Sequence, residues 1–281
     1  MKTNRFTAII LLAWTSMFTT PSNAQMMVSK KSSELGIFLG GSYYLGDLNP
    51  GSHFRQTNLA LGILYRRNFN PRFAFRFNGL YGGLKGDDAL SSDESQKERN
   101  LSFKSAALEV SGIFEFNFFP YQIGDQNTFI TPYIFAGLGA LKFNPKAELN
   151  GDWYQLQPLG TEGQETITYS DRKRYNLLQI AFPFGAGVKL NLTQRIGIAM
   201  EWGMRKTFTD YLDDVSTTYA DPTILSAENG EVSATLADRS LTPEANTGRQ
   251  RGNSKNKDWY NFTGIMINFK LGGKETCPAY Q

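Results

Sequence analysis

Hydrophobic and polar residues alternate along residues 177–209, and this pattern guides the interpretation of the whole chain. Two segments carry the alternation, joined by a short turn at 191–194. One face of each is apolar, formed by Leu178, Ile180, Phe182, Phe184, Ala186, Val188 and Leu190, and then by Ile196, Ile198, Met200, Trp202 and Met204. A period of two is typical of a β-strand, and about ten residues suffice for a tilted strand to cross a bilayer. The pattern therefore predicts a membrane-spanning β-hairpin.

Six further segments show strand-like patterns, so the chain is predicted to contain eight strands. Their bounds are about 34–45, 58–67, 72–83, 104–118, 129–143, 177–190, 195–209 and 258–271. The connections after the second, fourth and sixth strands are short, whereas the others are moderate or long. We therefore expect an all-β fold, an eight-stranded antiparallel up-and-down transmembrane β-barrel with long extracellular loops and short periplasmic turns. A soluble β-sandwich is the alternative, but it gives no reason for loop lengths to segregate in this way.

The N-terminal segment has the features of an export signal. Lys2 and Arg5 precede the apolar run 8–14, and small residues stand at Ser22 and Ala24. Residues 1–24 are therefore predicted to be a signal peptide, and 25–281 a single outer-membrane barrel domain with both termini in the periplasm. A buried helix or a membrane anchor is the alternative, but the apolar run is shorter than the roughly 20 residues that a spanning helix needs.

Composition argues against several classes of function. The net charge of +3 is too small to favour nucleic acid as a partner. The single cysteine, Cys277, cannot form an intramolecular disulfide. The single histidine, His53, lies in the first loop, where we expect it to be solvated and not to serve as a general base. We therefore expect no enzymatic activity, no cofactor and no small-molecule substrate.

Charged residues on the inward-facing side of the strands are expected to fill the barrel. An eight-stranded barrel is just wide enough for its own side chains. The inward charged set is Arg66, Arg76, Glu109, Glu115, Lys189, Glu201 and Arg205. Enclosed opposite charges most simply pair, which predicts a salt-bridged plug and negligible conductance; an ion or solute pathway is the alternative.

Three aspartates, Asp210, Asp213 and Asp214, cluster at the outer end of the seventh predicted strand. Carboxylates at this spacing are weak candidates for calcium ligands, because the segment lacks the glycine turn and distal glutamate of an EF-hand loop. A hydrogen-bonded turn at the barrel mouth is favoured instead.

Aromatic residues near the strand ends are expected to form two interfacial girdles. The outer girdle would contain Tyr43, Tyr81, Phe143, Tyr175, Phe208, Trp259 and Tyr260. The periplasmic girdle would contain Phe69, Phe73, Phe118, Phe119 and Phe269.

Four short segments carry a resemblance to a known family. They are GDL at 46–48, TPYIFAGLG at 131–139, FNPKA at 143–147 and TDYLDDVS at 209–216. Together they resemble the PorG family, outer-membrane barrels of the Bacteroidetes type IX secretion system. This resemblance implies a non-catalytic accessory role, in which the barrel ties the periplasmic ring of PorK and PorN to the outer membrane and the translocation machinery. The family also contains paralogues of unknown role.

A filled barrel must act by binding, and a periplasmic ring can touch only its periplasmic face. The residues nominated for this contact are Asn70, Pro120, Gln122, Asp125, Thr193 and Lys274. The expected partners are therefore PorK/PorN-type ring proteins, other secretion-system subunits and outer-membrane lipid. One alternative is a general structural or adhesive barrel that acts through its extracellular loops, and another is a lipid-modifying or proteolytic barrel that depends on His53.

Overall fold

The computed structural model describes residues 31–125, 128–241 and 243–272. The expected signal peptide, Lys274 and Cys277 lie outside the described residues. Nine strands form one sheet within the described part of the chain. They are β1 (Ser32–Leu45), β2 (Asn58–Asn68), β3 (Phe73–Asp87), β4 (Ser102–Asn117), β5 (Ile130–Leu149), β6 (Asp152–Gln155), β7 (Leu178–Asn191), β8 (Ile196–Thr207) and β9 (Trp259–Leu271).

Eight of these strands close into a ring. Each pairs antiparallel with its sequence neighbour, apart from the short β6, which extends β5 as a hairpin outside the ring. Closure comes from β1 and β9, which pair from Ser33↔Leu271 to Leu45↔Trp259. The protein is thus a closed, eight-stranded, antiparallel β-barrel, which confirms the predicted fold class.

The alternation of the sequence becomes the inside and outside of this barrel. Along β3, Phe73, Phe77 and Tyr81 are exposed, whereas Ala74 and Arg76 between them are buried. Large apolar side chains are exposed around the barrel, including Ile63, Val110, Phe114, Leu138, Ile180 and Ile265. A continuous belt of this kind is unfavourable in water but suits contact with lipid. Among the described helices, none is long and apolar enough to cross a membrane.

The strand bounds agree with the predicted ones to within two residues, with two exceptions. β3 continues to Asp87 instead of ending near 83, and β5 continues to Leu149 instead of 143. Both extensions lie beyond the apolar belt. There, buried inward residues alternate with polar outward residues. Phe143 and Ala147 are buried on the inner face, whereas Lys142 and Lys146 lie on the outer face. Because the outward residues here are polar and not apolar, the sequence pattern did not indicate that the strand continues.

The long connections contain regular secondary structure, which their polar composition did not indicate. We call the connections 46–57, 88–101, 150–177 and 208–258, as far as they are described, the cap. They contain short helices at Glu94–Arg99, Leu156–Leu159, Pro222–Glu228 and Glu231–Ala237, and 3-10 helices at Asp88–Leu90 and Pro243–Asn246. Their sparse apolar side chains join the top of the barrel core, namely Leu48, Leu101, Leu156, Leu212, Val215 and Leu236. The hydrophilic composition of residues 85–102 gives no sign of core residues, yet Leu101 and Asp88 are buried.

Candidate functional site

Glu115 is the centre of an ion-pair network inside the barrel. Its carboxylate lies 2.9 Å from Arg66 Nε, 3.0 Å from Arg76 Nε and 2.6 Å from Lys189 Nζ. Arg66 also pairs with Glu34 at 2.7 Å, and Arg76 with Glu201 at 2.7 Å. Strand alternation places all of these side chains inward, and strand pairing brings Glu34 directly opposite Arg66.

A second ion pair lies nearer the cap. Arg205 Nε is 3.1 Å from Glu109 Oε2, to which Tyr260 Oη donates at 2.8 Å. Ser111 Oγ donates to the other oxygen of Glu109 at 2.8 Å. The structure thus places all seven predicted interior residues in buried ion pairs. Glu34 was missing from the predicted set, although its position beside the outward Leu35 in β1 was a usable signal.

Charges in the described interior balance. Four cationic side chains, Arg66, Arg76, Lys189 and Arg205, face four carboxylates, Glu34, Glu109, Glu115 and Glu201. Aromatic rings fill space between them, with the Arg76 guanidinium 5.4 Å from the centre of Phe135 and the Arg205 guanidinium 5.0 Å from that of Phe262. The ion pairs neutralise the enclosed charges and the rings pack against the cations, as expected for a filled barrel interior.

The aspartate-rich segment reaches back into the barrel mouth. Tyr44 Oη, at the end of β1, donates to Asp213 Oδ2 at 2.5 Å and lies 3.1 Å from Asp258 Oδ1. A hydroxyl group carries only one proton, so both contacts become hydrogen bonds when a carboxyl group is protonated. An added Cβ at Gly46 would lie 2.0 Å from both Asp258 Oδ1 and Tyr44 Oη, so this arrangement requires glycine there.

Glu162 and Arg251 join the third and fourth cap connections. Arg251 Nη1 lies 3.2 Å from Glu162 Oε1 and donates to the backbone oxygen of Asp214 at 2.6 Å. Glu162 also accepts hydrogen bonds from the backbone nitrogens of Ser216 and Thr217. Glu162 has 0 % exposure, yet nothing in its local sequence predicted a buried role.

Arg99 joins the other connections. Its guanidinium lies 2.7 Å from Asp88 Oδ2 and donates to the backbone oxygens of Asp47 at 2.9 Å and Arg251 at 2.8 Å. Asp47 Oδ2 in turn accepts from the backbone nitrogen of Asn253 at 2.9 Å. The four connections are therefore linked to one another by charged side chains.

Burial raises the pKa of several cap carboxyls. It raises that of Asp210 to about 7, and that of Asp214 to about 6 despite the opposing effect of Arg251. Burial, reinforced by neighbouring carboxylates, also places the pKa values of Asp213 and Asp258 well above the ordinary range. In the cap, buried carboxyl groups outnumber the arginines that face them, so protonation is the simplest way to reduce their repulsion.

The three candidate calcium ligands have separate hydrogen-bond partners. Asp210 Oδ2 accepts from Ser216 Oγ at 2.8 Å, and Asp213 Oδ1 accepts from the backbone nitrogen of Val215 at 2.9 Å. Asp214 accepts from Tyr175 Oη at 2.7 Å and from Thr161 Oγ1. Within the described residues, no group of three or more His, Cys, Asp or Glu side chains is arranged to hold a metal ion. The geometry is that of a hydrogen-bonded turn.

The outer aromatic girdle was predicted incorrectly in part. Tyr81 and Phe208 are exposed, but Tyr43, Phe143, Tyr175 and Tyr260 are buried. Phe143 and Tyr175 stack with ring centres 6.2 Å apart, and Tyr175 stacks on Tyr211 at 4.7 Å. These rings connect the barrel to the cap. The predicted periplasmic set, Phe69, Phe73, Phe118, Phe119 and Phe269, is exposed.

The nominated periplasmic contact residues that the structure describes lie in three neighbouring turns. Asn191 Nδ2 donates to the backbone oxygens of Gln122 at 3.0 Å and Asp125 at 3.2 Å, which brings the turn containing Pro120 beside the turn containing Thr193. The turn after β2 lies beside them, because the backbone nitrogen of Tyr121 donates to the backbone oxygen of Pro71 at 2.9 Å. Within this turn, Asn70 Oδ1 accepts from the backbone nitrogens of Arg72 and Phe73 at 2.8 Å each.

His53 is exposed in the first connection. Its Nδ1 lies 3.0 Å from Tyr43 Oη, and its ring packs edge-on against that of Tyr43, with centres 5.9 Å apart. Trp202 Nε1 donates to the same hydroxyl at 3.3 Å. The structure thus places His53 in an aromatic cluster on the outside of the barrel.

The segments that carry the family resemblance lie mostly at the junction of barrel and cap. Leu48 from GDL is buried, and so are Leu212 and Val215 from TDYLDDVS. TPYIFAGLG instead contributes to the plug, because Tyr133 Oη donates to Glu201 at 2.7 Å. An added Cβ at Gly137 would lie 2.1 Å from the backbone oxygen of Gly112, so the close approach of β4 and β5 requires glycine.

Several solved bacterial barrels are similar to the chain. Ail, the attachment invasion locus protein of Yersinia pestis, solved in complex with the heparin analogue sucrose octasulfate, is 9% identical, with 86% of this chain and 99% of that chain covered and a TM-score of 0.40. Neisserial surface protein A is 10% identical, with 86% and 97% covered and a TM-score of 0.38. OprG from Pseudomonas aeruginosa is 10% identical, with 86% and 98% covered and a TM-score of 0.38.

No curated protein matches the sequence. The family model described as Domain of unknown function (DUF6089) matches residues 10–229. That range includes more than half of the 281 residues, from the N-terminal segment through β1 to β8 and into the last cap connection. The chain therefore belongs to the DUF6089 family.

Proposed function

We propose that this protein is a non-catalytic outer-membrane component of the type IX secretion system, which anchors or organises a PorK/PorN-type periplasmic ring. The observation that carries the proposal is the filled interior: Arg66, Arg76, Glu115, Lys189 and Glu201 form buried ion pairs across the barrel. A barrel filled in this way acts by binding. The resemblance of its cap and plug segments to the PorG family supplies the identity of the partner.

The outer-membrane location is supported by the export signal and the apolar belt. β1 begins and β9 ends at the same end of the barrel, because Ser33 pairs with Leu271. The short turns at 69–72, 118–125 and 192–195 lie at that end too. We infer that both termini and these turns face the periplasm, which makes them the surface available to a ring.

Affinity purification of the tagged protein from its native membrane tests this proposal. Replacement of residues 120–125 by a Gly/Ser linker, combined with truncation after Gly272, should reduce recovery of the ring proteins at least about tenfold, as expected when a central contact is lost. A Gly/Ser replacement of the exposed residues 51–54 is the matched control at the opposite end. Undiminished recovery with the first variant would exclude this face as the contact.

The folded cap favours a second candidate function, that of a surface barrel that binds partners outside the cell. Four connections that are linked by Arg99, Glu162 and Arg251 present a defined surface, with Ile167 and Leu241 among its exposed apolar side chains. Deletion of the gene separates the two candidates. Loss of the proteins that the type IX secretion system exports supports the secretion role, whereas normal export with altered adhesion supports the surface role.

A further inference from the structure

Three lysines form one row across the outside of the barrel. Lys85 on β3 is paired directly with Lys104 on β4, and Lys104 is paired directly with Lys146 on β5. All three lie at outward-facing positions of their strands. Neighbouring strands are about 4.8 Å apart, so the row spans on the order of 10 Å. We call these three residues the lysine row.

Like charges directly opposite each other destabilise a sheet, so an anionic partner would stabilise the lysine row. Among the ion pairs of the described residues, none involves the row. Lys104 Nζ lies 3.0 Å from the centre of the Trp153 ring, a contact that positions the cation without neutralising it. Asp87 and Glu148 line a cavity of ≈ 440 Å³ on the cap side of the row, where Arg239 adds a further positive charge.

On the opposite side, the lysine row borders the apolar belt. The next outward row contains Gly83, Ala106 and Asn144, and the row after that contains Tyr81, Leu108 and Lys142. A cavity of ≈ 500 Å³ lies here, lined by all three lysines, by Leu59, Tyr81, Gly83 and Ala106, and by the polar residues Asn58, Ser105 and Asn144. Cationic groups therefore lie at one edge of this cavity, and the apolar side chains of Leu59 and Tyr81 lie on the side toward the lipid-facing belt.

We propose that the lysine row binds the phosphate groups of a phosphorylated glycolipid of the outer leaflet. Ammonium groups on adjacent strands neutralise phosphate oxygens, and the oxygens separate the like charges. The cavity floor accommodates sugar beside Gly83 and Ala106, and the wall at Leu59 and Tyr81 contacts acyl chain. A free phosphate ion would gain nothing from that apolar wall, so the geometry points to a lipid headgroup. This inference rests on the proposed outer-membrane location with the cap facing outward, and not on the secretion role.

Binding of lipid A to the purified full-length protein in detergent tests the proposal. Wild type should bind fluorescent bisphosphorylated lipid A at least about tenfold more tightly than its dephosphorylated form, because charge-assisted hydrogen bonds to phosphate are strong. The triple variant Lys85→Gln, Lys104→Gln, Lys146→Gln should lose this preference. The control triple variant Lys173→Gln, Lys255→Gln, Lys257→Gln removes the same charge from exposed cap positions and should retain it.

Three outcomes would overturn the proposal. They are equal binding of both lipids by wild type, retained preference in the lysine-row variant, and complete displacement of the lipid by millimolar inorganic phosphate, which would assign the row to a soluble anion. A stability measurement guards against misfolding. Without lipid, the lysine-row variant should melt at the same or a higher temperature than wild type, since repulsion is removed. A lower melting temperature would mean that the lysines are structural.

Discussion

Glu115 shows how one residue can determine whether an enclosed interior is stable. Three cations, Arg66, Arg76 and Lys189, lie within 3.0 Å of its carboxylate, and its exposure is 1 %. Removal of its charge leaves these cations with fewer partners in a space that water cannot readily reach. The resulting cost is larger than for loss of a surface pair, because buried ions are not screened.

We expect Glu115→Gln to lower the free energy of unfolding by about 3–5 kcal/mol, the usual cost of breaking a buried ion pair. Unfolding of the refolded barrel in urea, followed by tryptophan fluorescence, measures this. The control is Glu165→Gln in the exposed pair with Arg174, at 3.1 Å, which should cost less than about 1 kcal/mol. Equal effects of the two variants would contradict the view that the interior network is tightly packed.

Asp210 should make cap stability depend on pH. Its pKa is raised from 3.8 to about 7, mainly by burial, with Asp47 and Glu162 reinforcing and Lys257 and the Ser216 hydroxyl opposing. Between these pH values the folded cap binds a proton that the unfolded chain has released. Its contribution to cap stability therefore falls as the pH rises from about 4 to about 7.

Hydrogen exchange of cap amides, corrected for intrinsic rates, should accordingly show a more open cap at pH 8 than at pH 5. Asp210→Asn keeps an acceptor for Ser216 and removes the titration, so the difference between the two pH values should shrink. The pKa values of Asp213, Asp214 and Asp258 are also raised, so these residues account for the pH difference that remains in the variant. An unchanged pH difference in the variant would rule out Asp210 as a contributor.

At the scale of elements, the barrel strands were predictable and the cap was not. A period of two identifies every strand except the fifth, whose two faces are both apolar or small, and it also assigned Arg76 and Glu201 to the interior. Cap residues carry no such period. Glu162 meets Arg251 across 89 residues of sequence, and Arg99 meets the backbone of Asp47 across 52, so neither pairing leaves a local signal. The cap core is built from single leucines contributed by different connections, so no local sequence pattern predicts that they are buried.

Because Glu162 links two cap connections, we expect Glu162→Gln to loosen the cap while leaving the barrel intact. Its carboxylate accepts from the backbone of Ser216 and Thr217, from Thr217 Oγ1 at 2.6 Å, and from Arg251. Cleavage by trypsin at cap arginines should accelerate at least about tenfold, as expected for loss of about 1.4 kcal/mol or more.

The matched control for that experiment is Glu231→Gln, which changes an exposed glutamate in the same connection as Arg251. It should leave cleavage at the wild-type rate. Urea unfolding of the barrel should stay within about 0.5 kcal/mol of wild type in both variants if cap and barrel are energetically separable. A matching loss of barrel stability in Glu162→Gln would show that they unfold together.

At the scale of the whole molecule, the position of the plug decides permeability. The interior ion pairs lie among barrel strands, below the cap connections. We therefore expect negligible conductance from purified protein in planar bilayers, and the same result when residues 221–237 of the cap are replaced by a Gly/Ser linker. Large and stable single-channel currents from wild type would contradict the plug. Currents from the linker variant alone would assign closure to the cap.

The seam between β1 and β9 sets the order in which the molecule can be completed. Ser33 pairs with Leu271, so β1 keeps an unpaired edge until β9 is in place. The hydrogen bond between Asn253 and Asp47 spans 206 residues, so the cap also joins distant parts of the chain. An antibody that recognises only the assembled cap would therefore detect molecules in which these distant contacts have formed.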